Sequence, residues 1–284
     1  MYKNKMVLSV IMSLALLVSA CGTKPAEQAS TNAGSGEAAA TTASKESKLD
    51  AIKKAGKIIV GTSADYPPYE FHKEVNKKDE IVGFDIEIAK AVAKDLGVTL
   101  ELKDMKFEGL LPALEAGNID FIISGMTPTP ERMKAVDFTK IYYTAVQRVV
   151  VRAEDKAKYT TIDSLKGLKV GAQKGATQET IVKEQMPGSE VKAIGKITDL
   201  IMEMKTKKIE ALVVEQPVAD AFLSKNPELV YADIKLSTED SGSAIALKKG
   251  NTELAEAMNK TLDRLISDKS IERLVTEANE LHEK

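Results

Sequence analysis

The order of apolar and polar positions divides the chain into three stretches. Residues 6–20 are mostly apolar and follow Lys3 and Lys5. Those 15 residues fall short of the roughly 20 that a membrane-spanning helix needs. A basic start, a short apolar stretch and small residues at its end predict a cleaved signal peptide over residues 1–20. Residues 22–49 invert the pattern: eighteen of these 28 residues are Ala, Ser, Thr or Gly, and Leu49 is the only large apolar one. Such a segment cannot bury enough surface to offset the entropy of ordering it. Residues 21–49 are therefore expected to form a flexible tether, with a reach on the order of 30 Å.

Beyond residue 49 the apolar positions take on the periods of strands and helices. Residues 57–61, KIIVG, are a short β-branched run ending in a turn signal. Asp85 is placed to cap a helix whose Ile88, Ala89, Val92 and Leu96 share one face, with Glu87, Lys90 and Lys94 outside and Gly97 at its end. A strand is predicted over 99–103, a helix over 108–116, and a strand over 121–123 after the Gly117-Asn118 turn. Strand and helix patterns recur at 169–172, 178–185, 191–194, 197–205 and 211–214. This alternation predicts α/β architecture, with helices on both faces of mostly parallel sheets. Leu254, Met258, Leu262 and Leu265 form one late helical stripe, and Ile271, Leu274, Val275, Ala278 and Leu281 another; both read as core-facing. Two extended runs, 144–151 and 241–247, could join two lobes. If both cross, the final helices return to the first lobe, which periodicity alone does not establish.

Composition and charge narrow the function classes. The 284 residues suit about two domains at roughly 150 residues each, and the 43% hydrophobic share excludes a mostly disordered chain. The net charge of −2 becomes −4 once Lys3 and Lys5 leave with the leader, so no basic excess points to nucleic acid. Cys21 is the only cysteine, which excludes an intramolecular disulfide and a multi-cysteine metal site. His72 and His282, the two histidines, cannot supply a His-rich zinc site. No metal and no cofactor is expected. There is no G-x-S-x-G elbow, no H-E-x-x-H and no phosphate loop of the G-x-x-x-x-G-K type, and the glycine-spaced run 167–175 fits neither nucleotide fingerprint. No catalytic residue is assigned.

Candidate binding chemistry gathers in four stretches. Residues 61–71, GTSADYPPYEF, end a strand and fix aromatic rings around a Pro-Pro turn, and ligands tend to bind at strand ends in α/β sheets. Ser63 and Tyr66 are the candidates there, while Tyr69 and Phe71 read rather as core. Residues 107–114, FEGLLPAL, open a helix with Phe107, which serves either the site or the core. Residues 123–132, ISGMTPTPER, run from a strand through a polar loop into a helix with Arg132 in its first turn. Exposed amides, a hydroxyl and a guanidinium together make a carboxylate receptor, and Arg grips a carboxylate bidentately as Lys cannot. Ser124, Gly125, Met126, Thr127 and Arg132 are its candidates; a surface Arg132 paired with Glu131 or Asp137 is the alternative. The fourth stretch is split. Residues 174–178, KGATQ, place Gly175 and Thr177 in another strand-to-helix loop with free amides. Residues 213–219, VVEQPVA, put Glu215 at the end of an apolar strand, where it could take an ammonium group or cap a helix.

Two resemblances follow from these residues. Residues 17–21, LVSAC, resemble the lipobox of bacterial lipoproteins, in which the cysteine thiol is lipidated and the chain is cut just before it. That implies lipidation at Cys21; a simple secretory signal or an uncleaved apolar helix is the alternative. The phrases GTSADYPPYEF, IVGFDIEIAKAVAKDLGV, FEGLLPALEAGNIDFIISGMTPTPERMKAVDF and VGAQKGATQET, in that order, resemble the polar amino acid solute-binding proteins of ABC importers, the bacterial extracellular family 3 type. The resemblance runs from about residue 55 to about residue 280.

It implies a two-lobed, type II periplasmic-binding fold with two crossover hinge strands. Lobe one would hold residues 50–144 and 242–284, lobe two residues 145–241, with hinges near 144–148 and 239–244. The amino acid carboxylate would meet Arg132, Thr127 and the Gly125 amide from lobe one and Thr177 from lobe two. Its ammonium would meet Glu215 and the Gly125 carbonyl, and Tyr66 and Phe107 would flank its side chain. The sequence departs from the family at two places. The family usually carries Asp where Glu215 stands, and basic-amino-acid binders often carry Asp where Ser63 stands; Asp65, Glu70 and Ser124 remain candidates for a polar side chain. The implied partners are a free polar or basic L-amino acid, an ABC permease with its ATPase, and the membrane through a lipid anchor on the extracytoplasmic face. A monomer is expected. Two other classes fit the same fold: a cyclohexadienyl-dehydratase-like enzyme, which would need an acid such as Glu215 or Glu70 to expel a leaving group, and a surface amino acid sensor or adhesin.

Overall fold

Residues 46–237 and 241–284 are described in the structure, a computed structural model. The signal peptide, Cys21 and the tether as far as residue 45 lie outside the described residues, as do residues 238–240, which include the start of the second expected hinge. Helix α1 (Lys48–Ala55) starts where the sequence reading still expects tether. Ser47 caps it, its Oγ accepting the Asp50 amide at 3.1 Å, and the side chains of Leu49 and Ile52 pack into the core. A cap and two apolar anchors thus suffice to order the chain ahead of residue 50.

The α/β architecture expected from the alternating pattern and the two lobes implied by the resemblance are both present. The first lobe continues with β1 (Lys57–Thr62), β2 (Asp65–Tyr66), β3 (Glu70–Val75), β4 (Lys78–Val82), α2 (Phe84–Leu96), β5 (Thr99–Asp104), α3 (Leu110–Glu115), β6 (Phe121–Ile122), α4 (Pro130–Ala135) and β7 (Val136–Ala145). One residue, Val146, then separates β7 from β8 (Gln147–Arg152), which belongs to another sheet. The second lobe adds β9 (Lys169–Gln173), α5 (Thr177–Gln185), β10 (Glu190–Ile194), α6 (Ile197–Lys205), β11 (Ala211–Glu215), α7 (Gln216–Leu223) and β12 (Leu229–Tyr231). The chain returns to the first sheet as β13 (Ser241–Lys248) and ends in α8 (Thr252–Ser267) and α9 (Ser270–Glu283).

The first sheet has strand order β5-β1-β6-β13-β7 and the second β10-β9-β11-β8-β12. In each, the strands joined by helices pair in parallel, while those that carry the chain between lobes pair antiparallel. Parallel neighbours need a crossover helix, whereas a strand entering from the other lobe is free to run against its neighbour. The run 144–151 read from sequence as one extended piece is therefore two strands in two sheets. Helices α8 and α9 do return to the first lobe, packing on α2, with α8 also against β7. Leu254, Met258 and Leu262 of α8 are fully buried there, beside Ile88 and Val92 of α2.

A small antiparallel sheet, β2-β3-β4, closes onto the start of α2. The Phe84 and Asp85 amides donate to the Pro68 and Tyr69 carbonyls at 3.1 and 3.0 Å. Gly83 makes this approach possible: its φ is 128°, and a Cβ there would lie 2.1 Å from the Tyr69 oxygen. Helix α2 thereby begins directly beneath the Pro-Pro turn. Among the described residues, no helix is long and apolar enough to cross a membrane.

Candidate functional site

Arg132 is delivered to the interface between the lobes by the sequence of α4. Thr129 Oγ1 accepts the Arg132 amide at 3.2 Å, and Pro130 takes the first helical position, where its missing N–H costs nothing. Arg132 is only 9% exposed. Its Nη1 donates to the Thr127 carbonyl at 2.8 Å and its Nη2 to the Gly175 carbonyl of the second lobe at 2.9 Å. The guanidinium carbon lies 5.4 Å from the centre of the Phe107 ring, a cation–π contact. Burial lowers the Arg132 pKa to about 10, which leaves it charged at neutral pH. The alternative of a surface ion pair is set aside, because Glu131 pairs with Lys134 at 2.6 Å and Asp137 accepts the Gly250 amide at 2.7 Å.

Glu215 comes from the other lobe, at the end of β11. It precedes α7 without capping it through its side chain and is 2% exposed. Gln147 Nε2 donates to Oε1 at 3.4 Å, while Oε2 has no hydrogen-bond partner among the described residues. Burial raises its pKa to about 7, tempered by the Tyr69 hydroxyl and the Gln147 amide that face it. Gln178 Nε2 donates to Gln147 Oε1 at 2.9 Å and to Tyr66 Oη at 3.4 Å. A polar chain therefore leads from the second-lobe acid to a first-lobe aromatic ring. Tyr66 is buried, with its ring 5.4 Å from that of Tyr69, which sits in turn against Phe84 at 4.5 Å.

The other expected residues divide. Ser63 is buried and donates its Oγ to Asp65 at 2.8 Å. Ser124 Oγ accepts the Ser63 amide at 3.1 Å and donates to Glu70 at 2.6 Å. Thr127 and Thr177 are half-buried, at the loop before α4 and at the first position of α5. Three expectations need correction. The Gly125 amide is not held out for a ligand carboxylate; it donates to Asp85 Oδ2 at 2.8 Å. The Met126 side chain is fully buried among Leu110, Ile122 and Val136, so only its backbone borders the loop. The Gly175 amide is taken by Glu179 at 2.8 Å, and Gly175 enters the site through its carbonyl instead. A fourth correction concerns Asp85: Gly83 is the N-cap of α2, and Asp85 lies inside the helix, fully buried.

Gln147, Gln178 and Asp85 were missed as site residues. The signal for Gln147 was a polar break, Gln147-Arg148, inside the β-prone run 144–151; Gln178 and Asp85 carry none, since helix-start residues read as caps or surface. Among the described residues, no group of three or more His, Cys, Asp or Glu side chains is placed to hold a metal ion. The arrangement instead offers one buried cation in the first lobe, one buried acid in the second, and aromatic faces beside them. Such a site suits a small molecule bearing both charges.

Comparison with known proteins agrees with that chemistry. The family of bacterial extracellular solute-binding proteins, family 3, matches residues 58–278. The arginine-binding extracellular protein ArtP of Bacillus subtilis is 40% identical over 223 residues, covering 77% of this chain and 84% of that protein. The crystal structure of the substrate-binding protein AbpA of an amino acid ABC transporter from Streptococcus pneumoniae, bound to L-arginine, superposes with a TM-score of 0.81 at 39% identity, covering 83% of this chain and 99% of that one. The ancestral amino acid-binding protein AncCDT-1, a precursor of cyclohexadienyl dehydratase, superposes with a TM-score of 0.75 at 35% identity, covering 81% and 99%. The chain belongs to the bacterial extracellular solute-binding proteins, family 3.

Proposed function

We propose that this chain is the lipid-anchored receptor of an ABC importer, capturing a polar or basic L-amino acid between its lobes and passing it to the permease. The amino acid import role and an extracytoplasmic location follow from the family, and the chain is a binding protein rather than an enzyme. The observation that carries the ligand class is the pair of buried opposite charges, Arg132 in one lobe and Glu215 in the other. A carboxylate at Arg132 and an ammonium at Glu215 would use both, and each would satisfy a group that burial otherwise disfavours. Ser63, Tyr66, Phe107, Thr127 and Thr177 complete the proposed contacts, with Ser124, Gly125, Met126 and Gly175 giving the loops their shape.

L-arginine is the first candidate. The Tyr66 and Phe107 rings lie beside the proposed site, where an aromatic face suits a guanidinium, and two of the compared proteins are an arginine-binding protein and one bound to L-arginine. Cys21 would carry the lipid, with the tether holding a monomeric body of two lobes, 50–144 with 242–284 and 145–241, near the membrane. A thermal-shift screen of the twenty amino acids tests the reading. A true ligand at about 100 Kd stabilises by about 2.7 kcal/mol, well within detection. Stabilisation by L-arginine or another polar amino acid supports it. Stabilisation by prephenate or arogenate, and by no amino acid, points to the dehydratase-like alternative.

A further inference from the structure

Behind the loop that carries Ser124 to Arg132 lies a second set of acids that the binding reading does not use. Glu70, on β3, and Asp85, on α2, are both fully buried. Asp85 Oδ2 accepts the Gly125 amide at 2.8 Å and the Tyr142 hydroxyl at 2.9 Å. Glu70 Oε1 accepts the Ser124 hydroxyl at 2.6 Å, and that same oxygen of Ser124 accepts the Ser63 amide. The remaining two oxygens, Asp85 Oδ1 and Glu70 Oε2, have no hydrogen-bond donor among the described residues. The two carboxyls lie within hydrogen-bond reach of each other; as ions they cannot satisfy each other, but one proton between them satisfies both.

We infer that Asp85 and Glu70 are positioning residues for this site, sharing one proton in the core and together holding the backbone of Ser124 and Gly125 from behind. Glu70 donates to Asp85, and the ionised Asp85 takes the Gly125 amide. The groups facing the pair contain no cation: Asp65 and Tyr66 on β2, Tyr142 on β7 and Glu215 on β11. Burial and the charge of Asp85 push the Glu70 carboxyl well above the usual range, consistent with its holding the proton at neutral pH. Two consequences follow. The Gly125 amide is spent on the loop's own shape, so the loop's grip on a ligand passes to Arg132 and Thr127. Glu70 also leaves the set of acids that could meet a ligand's side chain, since it is neutral and already bonded.

The inference rests on the proposed function only for what the loop binds, and its test separates the two. Amide hydrogen exchange at Gly125 and the infrared band of a protonated carboxylic acid are read in the purified chain without ligand, alongside L-arginine titration. Asp85→Ala is expected to speed Gly125 exchange by about tenfold or more, and Asp85→Asn to restore it to within about threefold, because the amide oxygen still accepts. Glu70→Gln and Asp85→Asn should each remove the carboxylic acid band that persists at pH 8, where Glu215 has largely lost its proton, since an amide then supplies the missing donor. L-arginine affinity should fall with Asp85→Ala and recover with Asp85→Asn. A wild-type protein lacking a carboxylic acid band that Glu70→Gln removes overturns the shared proton, whether or not Asp85→Ala folds. Gly125 exchange unmoved in a folded Asp85→Ala overturns the positioning role. A wild-type protein that fails to bind L-arginine removes that ligand from the proposed function, while the exchange and infrared readouts still decide this inference.

Discussion

The Arg132 guanidinium of the first lobe donates to the Gly175 carbonyl of the second at 2.9 Å. One side chain therefore touches both lobes, and its other branch holds the Thr127 carbonyl of its own loop. A ligand carboxylate arriving here would meet a guanidinium already oriented by two carbonyls and the Phe107 ring. In the proposed site, gripping the ligand and joining the lobes fall to the same group.

Removal of Arg132 should therefore weaken binding strongly. Arg132→Ala leaves a ligand carboxylate buried and underpaired, at a cost of about 2–5 kcal/mol, as for other buried charge pairs. That corresponds to a loss of roughly 30-fold to several thousand-fold in affinity. Arg132→Lys should lose much of the affinity as well, because a point charge cannot fork between two acceptors. Calorimetric titration decides it: an Arg132→Ala protein that melts normally and binds its amino acid within about threefold of wild type sinks the proposed site.

Glu215 is expected to make both stability and affinity depend on pH, in opposite directions. Its folded pKa, raised to about 7 by burial, lies above the ordinary 4.5, so the folded state keeps its proton where the unfolded chain has lost it. Stability of the ligand-free protein should then fall as pH rises from 4.5 toward 7 and level off above. Glu215→Gln should remove that part of the decline, adding on the order of 3 kcal/mol at pH 8 and almost nothing at pH 4.5. Affinity runs the other way, because an ammonium requires the ionised acid: it should rise with pH until about 7, and Glu215→Gln should flatten that rise. Denaturant titrations and calorimetry at several pH values read both, and a wild-type affinity flat from pH 5 to pH 8 counts against Glu215 as the ammonium partner.

The fold was more legible than the site, for identifiable reasons. The apolar pattern located β1, α2, β9, α6 and the two C-terminal stripes because the helices bury one face and the two strands are buried along most of their length. The hairpin of β3 and β4 was invisible, since its 72–82 segment is mostly charged and its turn, Asn76-Lys77, takes positive φ without the glycine that usually marks one. Hydrophobicity cannot show the break at Val146, because β-branched residues run on both sides of it. Arg132 was readable from Thr129-Pro130 before it, a local helix-start signal. Asp85 was misread for the same reason: an acid near a helix start looks alike in sequence whether it caps that helix or accepts from a loop forty residues away. The Gln147–Gln178 bond leaves no trace at all in the chain.

The proposed lipidation rests on Cys21 alone. No other thiol exists in the chain, so Cys21→Ala should abolish acylation and release the protein from the membrane fraction. Metabolic labelling with palmitate reads this directly. Persistent label on the Cys21→Ala protein defeats the lipoprotein reading and leaves amino acid binding untouched.

The interface between the lobes also carries a contact independent of Arg132. Asp65, on β2 of the first lobe, accepts the amide of Ile197, the first residue of α6 in the second lobe. Ser63 Oγ orients the same carboxyl, and beside it Lys196 pairs with Asp104 across the lobes at 3.2 Å. The first amides of a helix have no partner of their own, and the helix dipole favours an acceptor there. If the lobes part, Asp65 loses this group of the second lobe, so it is expected to act as a latch for the closed arrangement. Asp65→Ala leaves the Ile197 amide buried without an acceptor, at a cost of about 1–3 kcal/mol, or roughly five- to 150-fold in affinity for a ligand that binds the closed form. Asp65→Asn keeps an acceptor and should recover most of that loss. Small-angle scattering separates latch from contact residue: wild type should become more compact on saturation with ligand, and Asp65→Ala should need more ligand to reach the same compact profile. Identical wild-type profiles with and without saturating ligand rule out closure, and an Asp65→Ala protein that closes at wild-type ligand concentration shows that Asp65 is no latch.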